Sequence, residues 1–263
     1  MPPLYSTRCI RGQTALISGG SVGIGRACAL LLAEQGASLI LVARRLDKLE
    51  DAHSELKSRF PEVDVRLEVC DLSNTTQIED LILRLHDVPI HIIVNNAGLA
   101  LGTEAGDLSC VKDTITMFNT NVIASMALVS GIAPQMRKRN AGEIVNIGSI
   151  AASDHYSGGA IYCATKSAIE AYSNCLRMDL VDTNIRVTLI CPGIVSGTEF
   201  SLVRFRGDGD KALTPYAGLD CLTPMDVADQ VVYSITRPIN VQIAQINSYC
   251  NQQGHAKYVV SRK

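Results

Sequence analysis

This sequence of 263 residues predicts an α/β fold, a doubly wound parallel sheet of about seven strands with helices on both faces. Three observations lead there. Short β-rich runs alternate with helical patterns along nearly the whole chain, the order in which a parallel sheet acquires its crossover helices. Several strand runs are apolar throughout instead of alternating, as strands buried on both faces are. The glycines and polar residues that interrupt the pattern cluster at the carboxyl ends of those runs, where open α/β sheets bind ligands.

TALIS (14–18) is a β-rich run that ends in the turn GGSVGIG, and RACALLLAEQG continues as a helix. SLILVA (38–43) is a second strand, and RRLDKLEDAHSELKSRF has the periodicity of a charged amphipathic helix. DVRLEVC (64–70) and NTTQIEDLILRLHD make the third strand and helix, with Asn74 as N-cap. IHIIVNNAG (90–98) is the fourth strand, a helical pattern covers roughly 109–138, and EIVNIGS (143–149) is the fifth strand. A helix holding Tyr162 and Lys166 follows, then the strand IRVTLICPG (185–193), a helix over about 224–236 and a last strand near NVQIAQIN. The stretch 197–219 breaks the alternation with aromatics, arginines and glycines; a loop of that length in a compact domain is usually a lid, a binding loop or disordered. The reading is one domain over 1–263 with a substrate-loop insertion near 197–219.

Composition narrows the class. A content of 47% hydrophobic and 19% charged residues suits a well-buried core and argues against disorder. The net charge of −2, with both signs spread along the chain, gives no basic patch for nucleic acid. Nine cysteines without a CxxC pair support neither a zinc site nor a thioredoxin motif, so no metal is expected, and a reducing setting is the simpler one. The N-terminal MPPLYSTRCIRG lacks an apolar signal core, and no run of 18 apolar residues offers a membrane span. A soluble, cytoplasmic chain is expected.

Gly19, Gly23 and Gly25 are spaced GxxxGxG, not GxGxxG, but the physics is shared. A tight strand-to-helix turn brings backbone N–H groups and a helix N-terminus to a pyrophosphate. The same glycines would equally serve close packing alone; the strand–helix–strand context favours the nucleotide. At the end of the second strand, where an NAD site usually holds a carboxylate, the chain has Ala43 followed by Arg44 and Arg45. Guanidinium groups match phosphate oxygens, which favours NADP(H). Arg45 also suits a solvated residue opening a helix.

AIYCATKSAI (160–169) puts a phenol and an ammonium one helical turn apart, on one face. Tyrosine ordinarily titrates near pH 10, and an adjacent cation favours its phenolate. Tyr162 with Lys166 therefore reads as a general acid–base pair for alcohol–ketone interconversion, with Ser149 at the end of the fifth strand orienting the same oxygen.

Together these residues make a recognisable pattern. Ser18-Gly19-x-x-x-Gly23-Ile24-Gly25, NNAG (95–98), Ser149, Tyr162-x-x-x-Lys166 and PG (192–193) stand in the order and spacing of the short-chain dehydrogenase/reductase family, which the chain resembles over about residues 10–250. The resemblance implies a Rossmann fold and reversible hydride transfer between a nicotinamide and a carbonyl carbon. It implies catalytic roles for Ser149, Tyr162 and Lys166, with Lys166 also holding the nicotinamide ribose. Asn121, in FNTNVIAS, matches a further catalytic asparagine, implying a water-mediated proton relay to Lys166. It implies cofactor binding by Ser18, Gly19, Ser21, Gly23, Ile24, Gly25, Arg44, Arg45, Asn95, Ala97, Gly98, Pro192, Gly193 and Thr198, and an adenine contact from Asp71. PGIVSGTEF is one residue longer than the family's PGxVxTEF, so Ser196 and Thr198 both stand as candidates for the nicotinamide carboxamide.

LVARRLDKLE, GGAIYCATKSAI, LVDTNIRVTLICPGIV and TEFSLVRFRGD are similar to the NADP-dependent 3-hydroxy acid dehydrogenase branch, which oxidises serine, allo-threonine and related acids. A carboxylate substrate needs a cation, and Arg204 and Arg206 are the candidates; both would equally face solvent or a second subunit. A broad ketone or keto-ester reductase is the alternative within the same chemistry, and a non-catalytic NADP(H) sensor the alternative outside it. An extended-type epimerase fits neither the length nor the glycine spacing. The C-terminal SYCNQQGHAKYVV keeps an NQ pair but lacks the branch's preceding Pro-Thr. The family implies a homodimer or homotetramer joined through the helices near 109–138 and 159–180.

Overall fold

The computed structural model describes residues 7–261. Its central sheet grows from a first strand, β1 (Thr14–Ser18), that pairs in parallel with β2 (Ser38–Ala43) on one side and β4 (Ile92–Asn95) on the other. With β3 (Val65–Val69), β5 (Gly142–Ile147), β6 (Ile185–Pro192) and β7 (Gln245–Ser248) it forms a seven-stranded sheet in the order β3-β2-β1-β4-β5-β6-β7, parallel throughout. The order reverses between β1 and β4, which opens a crevice at their carboxyl ends.

Alternation along each strand assigns its side chains to two helical layers. Ile17, Leu39, Leu41 and Val94 face α1 (Gly23–Glu34), α2 (Leu46–Arg59) and α9 (Pro224–Ile235). Leu16, Ile40, Val42 and Ile93 face α3 (Thr75–Leu85) and α5 (Ala124–Arg139) on the other side. Each of these fully buried aliphatic side chains contributes about 1.5–3 kcal/mol. The expected N-cap is made: Asn74 Oδ1 accepts the Gln77 backbone N–H at 3.2 Å.

The helical pattern over 109–138 is a single run with a change of pitch. α4 (Val111–Phe118) passes into a π-turn at Asn119–Ile123 and continues as α5. Val111–Arg139 is 29 residues long and apolar enough to meet the length and composition of a membrane span, which the sequence reading did not expect. Half of its most apolar stretch is packed inside the fold, where Leu128, Ile132 and Met136 meet α3 and the sheet. Sheet and helix packing accounts for that buried half.

Two regions depart from expectation. The stretch 197–219 is an ordered strap, with α7 (Phe200–Arg204), α8 (Gly209–Leu213) and a 3-10 turn at Thr214–Tyr216. The last strand starts later than the apolar pattern, because residues 238–242 turn first: Val241 N–H donates to Pro238 O, and the Gln242 amide takes the Val187 backbone in place of a ladder. Beyond β7 the chain adds a hairpin, β8 (Gln253–His255) and β9 (Tyr258–Val259).

Two buried polar networks lock the layers. At the amino end of the sheet, Glu143 receives a bidentate Arg186 at 2.9 and 3.1 Å and is joined by Arg8, so its burial is offset in part by charge-assisted hydrogen bonds. Between β4, β5 and α6 (Ala160–Asp179), Asn95 Nδ2 donates to Asn146 Oδ1 at 2.9 Å, and Asn146 Nδ2 donates to Ser173 Oγ at 2.8 Å. That chain of amides fixes α6, and with it Tyr162 and Lys166, on the sheet.

Candidate active site

The crevice begins at the glycine turn. Gly19 and Gly23 have φ of 65° and 54°, in the left-handed region that favours glycine. A Cβ on Gly25 would lie 2.1 Å from Gly19 O, so Gly25 lets α1 start against the strand end and does not itself line the cleft. The α1 N-terminus has Val22 at its N-cap, with no side-chain cap and no acidic residue in its first turn. Its first N–H groups therefore point into the cleft without a capping side chain.

The cleft, about 260 Å³, is lined from this sequence's predicted set by Gly19, Gly23, Ile24, Ala97, Gly98, Ser149, Tyr162, Lys166, Pro192, Gly193 and Thr198. Ser196 is not in the lining; its backbone N–H is held by Leu222 O at 2.9 Å. Other predicted residues lie just outside. The Ser18 hydroxyl accepts the Asn96 and Ala97 backbone N–H groups at 3.0 Å and ties β1 to the loop after β4. Ser21 is buried beneath the turn. Asn95 points away from the cleft into the amide network, and the next residue, Asn96, lines it instead, its Nδ2 donating to Ser18 O and Gly19 O at 3.0 and 3.2 Å. NNAG signals the loop but not which of two adjacent asparagines faces the ligand; a strand ending at Asn95 sends them opposite ways. Asp71 Oδ1 accepts from Ser73 N and Oγ at 2.9 and 2.7 Å, building the turn after β3.

At the end of β2 the two arginines separate. Arg44 is exposed and makes no hydrogen bond or ion pair among the described residues. Arg45 pairs with Glu199 of the strap at 2.5 Å, a partner 154 residues away. Glu199 also lines the cleft, so the pair closes over its rim.

Deeper in, Lys166 Nζ donates to Ile147 O at 2.9 Å and lies 5.8 Å from the Tyr162 ring centroid. Burial lowers the Lys166 ammonium to about 8. Burial also raises the Tyr162 phenol, a shift that the Ser149 hydroxyl and Arg204 partly oppose. The sequence reading expects Lys166 to lower Tyr162; in the structure desolvation is the largest influence on both groups and moves them toward neutrality. Tyr162 is also held edge-on by Phe200 of α7, with centroids 5.5 Å apart.

Asn121 sits in the π-turn, 2% exposed. Its Oδ1 accepts Leu99 N–H and its Nδ2 donates to Leu99 O, both at 2.8 Å, and to Thr165 Oγ1 at 3.0 Å. It brackets the segment after Gly98: a Cβ there would lie 3.4 Å from Asn121 Oδ1 and 3.5 Å from Lys166 Nζ. Asn121 and Lys166 thus flank the same glycine.

A second cavity of about 350 Å³ opens on the far side of Tyr162 and shares Ser149, Tyr162, Gly193, Val195 and Phe200 with the first. Its other walls come from the strap, the C-terminal hairpin and the segment after β5 that holds Ile150 and Tyr156, with Thr103 and Ile194. Arg204 lines it, with Nε, Nη1 and Nη2 donating to Gly102 O, Tyr156 Oη and Gly158 O at 3.2, 2.8 and 2.9 Å. Arg206 does not line it; it is exposed and pairs with Asp113 at 2.6 Å. His155 is taken up by Ala152 O at 3.0 Å.

A phenol and a serine hydroxyl thus stand where a glycine-floored cleft meets a second cavity, with a buried lysine behind. The family model for short chain dehydrogenase matches residues 13–206. The chain belongs to that family. An NADP-dependent 3-hydroxy acid dehydrogenase of Schizosaccharomyces pombe is 40% identical over 257 residues, spanning 96% of this chain and 98% of the relative. One from Escherichia coli is 38% identical over 250 residues, spanning 94% and 99%. Among solved structures, the closed form of serine dehydrogenase complexed with NADP+ superposes with a TM-score of 0.87 at 37% identity, over 95% of this chain and all of that one. Within this short-chain dehydrogenase, sequence reasoning missed Asn96, Glu199, Phe200, Tyr156 and the hairpin. Asn96 lies in NNAG, and Glu199 and Phe200 end PGIVSGTEF; Tyr156 and the hairpin lie in no motif and reach the site through tertiary contacts.

Proposed function

We propose that this short-chain dehydrogenase catalyses the NADP(H)-dependent, reversible oxidation of the hydroxyl of a small 3-hydroxy acid of the serine or allo-threonine kind. The observation that carries this reading is the meeting of the two cavities at Ser149 and Tyr162, the second of them bearing Arg204 and, among the described residues, no Asp or Glu in its lining.

The cleft fits the cofactor. The uncapped α1 N-terminus and the turn at Gly19 and Gly23 suit a pyrophosphate, and Arg44 is an unpaired guanidinium where a 2′-phosphate calls for one. NADP(H), when bound, supplies the hydride acceptor or donor. Ile24, Ala97, Gly98, Pro192, Gly193 and Thr198 would border it. Ser149 orients the substrate oxygen, and Tyr162 takes or returns the hydroxyl proton. A cationic Lys166 beside Tyr162 favours the phenolate and holds the cofactor's ribose, and Asn121 positions the loop after Gly98. Arg204 receives the substrate carboxylate with the N–H groups its backbone acceptors leave over; Arg206, tied to Asp113, has no part in it.

The chain acts as a single catalytic domain in the cytoplasm, in keeping with cysteines that are all free among the described residues. Exposed Val111 and Ile115 on α4 and Met178 and Val181 at the end of α6 support association into a homodimer or homotetramer.

Absorbance at 340 nm tests the activity. NADP+ reduction with L-serine, L-allo-threonine or 3-hydroxybutyrate, and little with uncharged alcohols of similar size, is the expected result. The apolar wall of Ile194, Phe205, Leu219 and Val259 favours a second reading, a ketone reductase. NADPH oxidation with bulky neutral ketones alone would establish it instead.

A further inference from the structure

The second cavity holds a cation that the reading above does not use. Lys257 stands in the turn between β8 and β9, exposed at the cavity mouth, with its Nζ 5.0 Å from the Tyr156 ring centroid. Arg204 Cζ lies 5.4 Å from the same centroid. Two positive charges therefore share one aromatic ring. Lys257 has no hydrogen-bond or ion-pair partner among the described residues. A cation over a ring is ordinary, but two on one ring repel, and the arrangement is relieved by an anion between them.

The hairpin that carries Lys257 is fastened to the site. Gln253 is 7% exposed and its Oε1 accepts Ile194 N–H at 3.0 Å; Gly193 leaves the room, since a Cβ there would lie 2.2 Å from that oxygen. Gln252 stitches the hairpin to the strap, accepting Asp220 N–H at 2.6 Å and donating to Gly218 O at 3.1 Å. Lys257 is thus delivered to the cavity by a built connection.

We propose that Lys257 is the second cation of a carboxylate subsite, acting with Arg204 across the Tyr156 ring, and that it sets this enzyme's preference for hydroxy acids over their uncharged counterparts. The proposal rests on the hydroxy-acid reading. Arg204, clamped by three backbone and phenol oxygens, fixes the orientation of the carboxylate; Lys257, on a flexible stem, closes on it from the mouth. Burial and the nearby Arg204 both pull the Lys257 ammonium below its ordinary range, as expected where a counter-charge is wanting.

The test compares 3-hydroxybutyrate with 3-hydroxybutyramide, equal in size and different in charge, in wild type, Lys257→Met, Lys257→Gln and Lys257→Arg. Wild type should prefer the acid. In Lys257→Met and Lys257→Gln the acid-to-amide ratio of kcat/KM should fall about tenfold or more, through KM for the acid, and Lys257→Arg should restore most of it. A wild type that prefers the amide overturns the hydroxy-acid reading, and this subsite with it. A wild type that prefers the acid while both neutral variants keep the ratio overturns Lys257 alone. Equal loss on acid and amide, through kcat, would make Lys257 a residue of hairpin structure and also overturn the proposal.

Discussion

The cleft that meets α1 is built mostly from backbone: glycines at strand ends, an uncapped helix terminus and a loop pinned by Ser18 and Asn96. The cavity beyond Tyr162 is built from side chains, carried by the segment after β5, a strap and a hairpin that lie apart in the chain. The first must present amide N–H groups to a large, invariant ligand, which demands particular φ angles and close approaches. The second must fit a few atoms of one substrate, which many side-chain sets can do. A backbone site leaves glycines at fixed spacing in the sequence; a side-chain site leaves almost nothing.

The junction of the two is the place to break that comparison most severely. Tyr162→Phe keeps the ring against Phe200 and removes only the hydroxyl. Turnover should fall about 10³-fold, within the range for losing a positioned acid–base group. NADPH affinity, read from its fluorescence, should change less than threefold. Loss of both together would place Tyr162 among the residues that shape the cleft, not among those that move the proton.

How much could be read beforehand follows from the same contrast. The edges of β1 and β2 are legible because each has an apolar centre and is followed by Gly or Arg. The GxxxGxG turn, Ser149 and the Tyr162–Lys166 pair were legible because local geometry alone sets their spacing. Asn95 was assigned to the cofactor and works instead in the amide network under α6, since nothing in NNAG marks the face each residue takes. The strap was readable only as a break in pattern: its helices are five residues each and held by tertiary contacts. Arg204 was identified for its charge, while the Tyr156 ring it shares with Lys257 depends on the hairpin's path. The opposed behaviour of Tyr162 and Lys166 was hidden because desolvation depends on what covers a residue.

That desolvation gives a measurement on the protein without cofactor. Lys166 titrates near 8 when folded and near 10.4 when unfolded, so between those values the unfolded chain binds more protons and unfolding free energy rises with pH. Relative to Lys166→Met, wild type should therefore gain stability from pH 8 to pH 10, by up to about 3 kcal/mol. Urea melts of both proteins across that window read the difference, in which the titration of buried Cys28, shifted by its burial and not by Lys166, cancels. A difference independent of pH would mean that Lys166 stays charged in the fold.

At the cofactor end, the two arginines should prove unequal. Arg44→Ala should weaken NADPH about 10- to 100-fold, as expected for a hydrogen bond to a charged group, and leave NADH nearly unchanged. Arg45→Ala should cost less, because its guanidinium already serves Glu199. Equal losses for NADPH and NADH would remove the 2′-phosphate from both.

The smallest effect bears on the link between the two regions. Glu199 belongs to the strap yet pairs with Arg45 at the cofactor rim, with both side chains about two-fifths exposed. An ion pair so exposed contributes at most about 1 kcal/mol, or roughly fivefold in a rate. Glu199→Gln should speed NADPH release by that factor or less, read by stopped-flow fluorescence, with the rate of association little altered. The gain should shrink as salt rises, since screening weakens the pair in wild type too. The acid-to-amide preference should stay as it is, because the carboxylate subsite is held by the hairpin, not by the rim. A release rate that slows instead would mean that Glu199 competes with the 2′-phosphate for Arg45. The strap would then open when NADP(H) binds, and the backbone-built cleft would control access to the side-chain-built cavity.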